Sequence, residues 1–121
     1  MSKRILVVED QDDNRQIIRD MLEATDYQIT EAVNGVEALA AIAKERPDLI
    51  LMDIQLPILD GYEATRRIKA DPGLRSIPII AVTSYALSGD EQKARDAGCD
   101  DFVPKPYSPR QLLAKIRQYL P

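Results

Sequence analysis

Apolar residues gather in five short runs rich in Val, Ile and Leu: Arg4–Glu9, Gln28–Val33, Asp48–Asp53, Ile77–Thr83 and Asp100–Val103. The first, third and fourth are near-continuous rather than alternating, the pattern of strands buried on both faces. Between the runs the apolar period lengthens to that of a helix. Ile17, Ile18, Met21 and Leu22 share one stripe, Val36, Leu39, Ala40 and Ala43 a second, and Leu112, Leu113, Ile116 and Leu120 a third.

Capping chemistry supports five helices. A capping residue is followed three positions later by Glu or Gln at Asp13/Gln16, Asn34/Glu37, Asp60/Glu63, Ser88/Glu91 and Ser108/Gln111. Pro109 falls at the first position of the last helix, where its missing N–H costs nothing. Gly98 is placed to end the fourth helix in a left-handed cap. Strand and helix alternate five times, which predicts a doubly wound α/β fold with a parallel sheet and helices on both faces. Spacing alone leaves the strand order open. With no linker, repeat or low-complexity segment, residues 1–121 read as a single domain without a second, output domain.

Four of the five runs end in residues that phosphoryl chemistry uses: Glu9 and Asp10, Asp53, Thr83 and Lys105. Open α/β sheets place ligands at the carboxyl ends of their strands, where these side chains would meet. Two like charges about 4 Å apart repel by ~1 kcal/mol in bulk water and several-fold more near a protein surface. A cluster of Glu9, Asp10 and Asp53 therefore calls for a counter-charge, and Mg²⁺ is the natural one, since it takes oxygen ligands from one or two carboxylates plus water and phosphate. The plain alternative is a set of solvated loop acids. Asp12 and Asp13 read that way, as caps of the first helix. The strongly negative Asp10–Asp13 loop would repel a cofactor phosphate, which argues against flavin mononucleotide.

Lys105 stands between Pro104 and Pro106. A lone lysine is usually a solvated charge, but one held by two prolines at a strand end beside an acid cluster reads as a phosphate clamp. A cis Lys105–Pro106 bond would turn its ammonium inward. Thr83, an ordinary β-branched strand residue on the plain reading, ends its strand beside small Ser84 and reads as functional. Pro104 lacks a backbone donor, which is tolerable if the fifth strand lies at a sheet edge.

Charge and composition narrow the classes. The chain is 45% hydrophobic and 30% charged with a net charge of −4, a globular balance with no field to draw in nucleic acid or an anionic membrane. No run approaches the roughly 20 residues of a membrane span. Met1–Arg4 leads directly into a strand-like run, so no signal peptide is expected. Cys99 is the only cysteine, which excludes an internal disulfide and fits a cytoplasmic protein. It reads as a small buried residue. The absence of histidine excludes a histidine triad, a histidine-ligated metal and a phosphohistidine within this chain.

The segments ILVVED, DLILMDIQLPILDGYEATRRIK, IPIIAVTSYA and AGCDDFVPKP resemble the receiver domain of two-component response regulators, and the resemblance covers the whole chain. The phrases LILMDIQLP and AGC are most similar to stand-alone receivers of the DivK type. The resemblance implies a five-stranded sheet in the order 2-1-3-4-5. It implies Asp53 as the phosphoacceptor, charged by a histidine kinase or a histidine phosphotransfer protein. Asp10, Asp53 and the Gln55 carbonyl would bind Mg²⁺, with Glu9 holding a metal-bound water. Lys105 would contact the phosphoryl oxygens and Thr83 would move to bond them. Phe102, otherwise a plain core aromatic, would swing inward.

Gln55 and Tyr85 stand two residues beyond Asp53 and Thr83, near the path of an attacking water, and a bulky Tyr85 would shield the acyl phosphate. A face built from the fourth helix, fifth strand and fifth helix, with Thr83, Tyr85, Leu87, Gln92, Phe102 and Tyr107, would meet a downstream protein or a second copy. The implied function is a phosphorylation-dependent switch, or a phosphoryl shuttle in a multistep relay, with only self-phosphorylation and self-dephosphorylation as chemistry. A Mg²⁺-dependent aspartyl-phosphate phosphohydrolase is disfavoured, because such enzymes want a second Asp at the position held by Gln55. A receiver-like module that works without phosphorylation is disfavoured because no key residue is missing.

Overall fold

The computed structural model describes residues 3–83, 90–105 and 108–121. Five strands, β1 (Arg4–Val8), β2 (Gln28–Ala32), β3 (Leu49–Asp53), β4 (Ile79–Thr83) and β5 (Asp101–Pro104), alternate with α1 (Asp12–Glu23), α2 (Gly35–Lys44), α3 (Gly61–Ala70), α4 (Asp90–Ala97) and α5 (Pro109–Tyr119). All pairings are parallel and the order is β2-β1-β3-β4-β5, as the resemblance implied. The three near-continuous runs are the three interior strands. They are buried on both faces because helices cover both.

Period-two alternation splits the core. Ile5, Val7, Leu49, Leu51 and Ile80 pack under α1 and α5 with Ile18, Leu22, Leu112 and Ile116. Leu6, Val8, Ile50, Met52, Ile79 and Ala81 pack under α2, α3 and α4 with Ala38, Ile42, Ala64, Ile68 and Ala94. Edge strand β5 tolerates Pro104. The Lys105 amide turns inward to the Thr83 carbonyl, and the Phe102 amide bonds the Asp101 carboxylate. Position 104 shares the outward side with 102, where no ladder bond is lost.

The caps divide. Asn34 accepts from the Glu37 amide, Asp60 accepts from the Glu63 amide, and Ser108 and Gln111 close a full capping box with Pro109 at the first position. Gly98 takes φ 111 after α4. The Asp13/Gln16 box does not form. Helix α1 starts after Gln11, so Asp12 and Asp13 lie inside its first turn, and Asp12 pairs instead with Arg15 and Arg19. The Ser88 box lies outside the described residues.

Two predicted stripes are corrected. On α2 the buried residues are Gly35, Ala38 and Ile42, while Val36, Ala40 and Ala43 face solvent. On α1, Ile18 and Leu22 are buried but Ile17 is half exposed. The α2 rotation follows from Gly35, whose amide bonds the Leu59 carbonyl and whose missing side chain lets α2 abut that loop.

Candidate functional site

The sheet alternation that builds the core also aims the site. Glu9 follows Ile5 and Val7, Asp53 follows Leu49 and Leu51, and Lys105 follows Val103, so all three continue the α1/α5 face. They converge where their strands end. Lys105 Nζ donates to Glu9 Oε1 at 2.8 Å and reaches Asp53 Oδ2 at 3.4 Å. Glu9 and Asp53 are almost wholly buried, and Val7, Val8, Ile18, Leu51 and Val82 line the floor beneath them. Asp10 joins from the β1–α1 turn. Carboxylate oxygens of Glu9, Asp10 and Asp53 lie within 4.8 Å of one another.

Backbone donors fix the carboxylates. The Gln55 amide donates to Asp53 Oδ1 at 3.0 Å and the Gln11 amide to Glu9 Oε2 at 3.1 Å. The loop after Asp53 folds back tightly. Leu59 N–H bonds the Pro57 carbonyl across Ile58, whose φ of 69 is rare for a β-branched residue, and Gly61 N–H returns to the Ile54 carbonyl. A Cβ on Gly61 would collide with the Asp53 carbonyl, so the start of α3 closes directly onto the acid.

The charges respond to this crowding. Burial, reinforced by Glu9, pushes the Asp53 carboxyl up to about 7, although the Gln55 amide and Lys105 oppose the rise. For Glu9, burial acts upward, but hydrogen bonds from Lys105, Asp53 and the Gln11 amide outweigh it and hold the carboxyl below its ordinary value. Lys105 is raised: burial disfavours its charge, and the two carboxylates more than restore it. Of the two buried acids, Asp53 is the one pushed toward protonation and Glu9 the one held toward its ionised form by the ammonium. With Asp53 ionised as well, three carboxylates face one ammonium, leaving a formal excess of two negative charges. Hard oxygen donors with that deficit suit a divalent cation.

Thr83 is buried at the end of β4, one step past Val82, which pairs with Asp53. It continues the opposite face of the sheet, with Ile79 and Ala81, and its carbonyl accepts from the Lys105 amide at 2.6 Å. Phe102 packs against that same opposite core, half-buried. Gln92 is exposed on α4 and bonds Asp96 at 2.7 Å. Tyr85, Leu87, Tyr107 and the Lys105–Pro106 bond lie outside the described residues. Cys99 is buried beside Thr65, and burial pushes its thiol up to about 11, so it is an inert core group. Sequence reasoning missed Arg15, whose Nη1 donates to the Glu9 carbonyl at 2.8 Å. Its signal was the Asp12-x-x-Arg15 spacing on α1.

A doubly wound 2-1-3-4-5 sheet with an acid trio and a lysine at its carboxyl edge defines a receiver-type module, and residues 5–117 match the response regulator receiver domain, the family to which this chain belongs. The chain is 45% identical over 120 residues to the polar-differentiation response regulator DivK of Brucella anthropi, covering 99% of this chain and 98% of that protein. Among solved structures it resembles the receiver domain of a sensor histidine kinase from Pseudomonas aeruginosa, determined with a magnesium ion coordinated in the active site cleft. The TM-score is 0.91 at 38% identity, covering 99% of this chain and 98% of the other. It also resembles the signal receiver domain of a signal transduction histidine kinase from Syntrophus aciditrophicus, with a TM-score of 0.92 at 35% identity over 98% and 90% of the two chains. No described helix is long and apolar enough to cross a membrane.

Proposed function

We propose that the chain is a phosphorylation-dependent signalling switch in which Asp53 accepts a phosphoryl group from a phosphohistidine on a histidine kinase or histidine phosphotransfer protein. The phosphorus–nitrogen bond of the donor breaks, a bond from phosphorus to an Asp53 carboxylate oxygen forms, and the imidazole leaves with the electron pair. The observation that carries this reading is the Lys105 ammonium lying between Glu9 and Asp53 in the acid trio. In-line phosphoryl transfer is mainly positioning and charge stabilisation. Asp10, Asp53 and the Gln55 carbonyl would hold Mg²⁺, with Glu9 holding a metal-bound water, and the ion would supply charge neutralisation for the transferred phosphoryl oxygens.

This chain's own residues do the rest. The Gln55 amide orients Asp53 through Oδ1. The Lys105 ammonium, released from Asp53 Oδ2, follows the incoming phosphoryl oxygens. The product adds about −1.5 to −2 of charge at Asp53. Thr83 answers it with its hydroxyl, and Phe102 fills the space that Thr83 vacates. The resulting change on the α4–β5–α5 face, with Tyr85, Leu87, Gln92 and Tyr107, alters binding to a downstream protein or to a second copy of the chain. The setting is the cytoplasm, and the only chemistry is self-phosphorylation and self-dephosphorylation.

Incubation with Mg²⁺ and a small acyl phosphate should add one phosphoryl group by mass spectrometry, and Asp53→Asn should abolish the increase. An unmodified wild type, or modification that survives Asp53→Asn, overturns the proposal. A shuttle role is read separately, by onward transfer of label from Asp53 to a histidine-containing protein.

A further inference from the structure

Arg15 stands one turn into α1, only 14% exposed along its side chain, with its guanidinium divided among three acceptors. Nη1 donates to the Glu9 carbonyl at 2.8 Å, Nε faces Glu31 on β2 at 3.0 Å, and Nη2 faces Asp12 at 3.0 Å. Its backbone amide also bonds the Gln11 carbonyl at 3.1 Å. The Glu9 amide completes the last ladder bond, to Ala32. β2 then ends, and Arg15 supplies the donor for the Glu9 carbonyl that a longer β2 would have supplied. One side chain therefore ties down the turn that carries Glu9 and Asp10 to the strand and helix flanking it.

We propose that Arg15 is a positioning residue for the acid site: by bridging the Glu9 carbonyl to Glu31 and Asp12, it holds the Glu9–Asp10 segment in the geometry that binds a divalent cation. The proposal rests on the reading of Glu9, Asp10 and Asp53 as the cation site of a phosphoacceptor. Arg15 touches neither cation nor phosphoryl group and acts through Glu9. Charge alone makes the opposite forecast. Removing a cation beside three carboxylates strengthens their pull on Mg²⁺, whereas freeing the turn weakens it. The sign of the change separates the two. Arg19 is the internal control, since it pairs with the same Glu31 and Asp12 but has no bond to the Glu9 carbonyl.

The test is calorimetric titration of Mg²⁺ into the wild type, Arg15→Met, Arg15→Lys and Arg19→Met, with phosphorylation by an acyl phosphate followed at limiting and saturating Mg²⁺. Loss of a group that orients a ligand typically costs 10–100-fold in metal affinity. Arg15→Met should weaken Mg²⁺ binding roughly tenfold or more. Saturating Mg²⁺ should bring its phosphorylation rate back near that of the wild type. Arg15→Lys should fall between, because an ammonium can hold the carbonyl but lacks the fork that reaches all three acceptors. Arg19→Met should leave the affinity unchanged. Unchanged or tighter binding in Arg15→Met, or an equal loss in Arg19→Met, overturns the proposal. If circular dichroism finds Arg15→Met unfolded, Arg15→Lys decides, weaker binding supporting it and unchanged binding overturning it. A wild type that neither binds Mg²⁺ nor accepts a phosphoryl group sinks the functional reading itself, whatever the variants do.

Discussion

Lys105 leans toward Glu9, at 2.8 Å, rather than toward Asp53, at 3.4 Å. The ammonium thus sits closest to the carboxylate that it holds below its ordinary value, while burial and Glu9 push the proposed acceptor up to about 7. On the proposed reading, a cation held by the acid trio would compete with Lys105 for Glu9 Oε1, and an incoming phosphoryl group would give the ammonium somewhere else to go.

Lys105→Met removes that competitor and the clamp together. Mg²⁺ should bind more tightly than to the wild type, while phosphorylation by an acyl phosphate slows by roughly 10²–10³-fold, the usual loss for one preorganised charge-stabilising donor. Calorimetry and rate measurements on the same preparation read both. Weaker metal binding would show that Lys105 organises the acids rather than competing for them.

The high Asp53 pKa makes the metal-free protein sensitive to pH. Unfolded, the carboxyl titrates at ~3.9; folded, burial pushes it to about 7. Between those values the native state holds a proton that the unfolded chain has released, so stability declines as pH rises, by at most about 1.4 kcal/mol per unit for one proton. Thermal melts in chelator should show a higher Tm at pH 5 than at pH 8, and Asp53→Asn should flatten the slope. Mg²⁺ should raise Tm more at pH 8 than at pH 5, because protons compete with it for Asp53. A wild-type slope equal to that of Asp53→Asn would remove Asp53 as the cause.

Gly61→Ala should damage fold and site together. The added methyl meets the Asp53 carbonyl and lies 2.8 Å from Ile54 Cα, both backbone, so no rotamer relieves it. Overpacking of this kind costs about 1–3 kcal/mol. Denaturant titration should find that loss, and the folded fraction should accept phosphoryl groups more slowly because the end of β3 has moved.

Tyr85 carries a kinetic forecast. If its ring shields the acyl phosphate from water, Tyr85→Ala should shorten the lifetime of phosphorylated Asp53 while leaving its formation largely unchanged. Decay of the phosphorylated mass after removal of the donor measures this. An unchanged lifetime leaves Tyr85 with no shielding role.

Much of the architecture could be read from the order of residues. Strands buried on two faces must be apolar at nearly every position, so β1, β3 and β4 announced themselves as covered by helices on both sides, whereas Pro104 said only that an edge position for β5 would be tolerable, and the strand order stayed open. Capping is equally local, and Asn34, Asp60 and Ser108 were legible for that reason. The stripes on α1 and α2 were not. In an alanine-rich helix two overlapping stripes differ by one position, about 100° of rotation, and only the abutment of Gly35 on Leu59 selects between them. The start of α1 was not legible either: Gln11 takes the N-cap position, so Asp12 and Asp13 fall inside the first turn, where Asp12 pairs with Arg15 and Arg19.

The linear chain by itself determined the inventory: which acids, which lysine and which strand ends carry them, since strand periodicity and strand termini are properties of neighbouring residues. Only the tertiary structure decided the pairings. That Lys105 holds Glu9 more closely than Asp53, that burial beside Glu9 pushes the Asp53 carboxyl up, and that Arg15 reaches across to Glu31 all depend on distances between side chains that the fold brings together. Burial and Coulomb energies are set by those distances, and no local pattern encodes them.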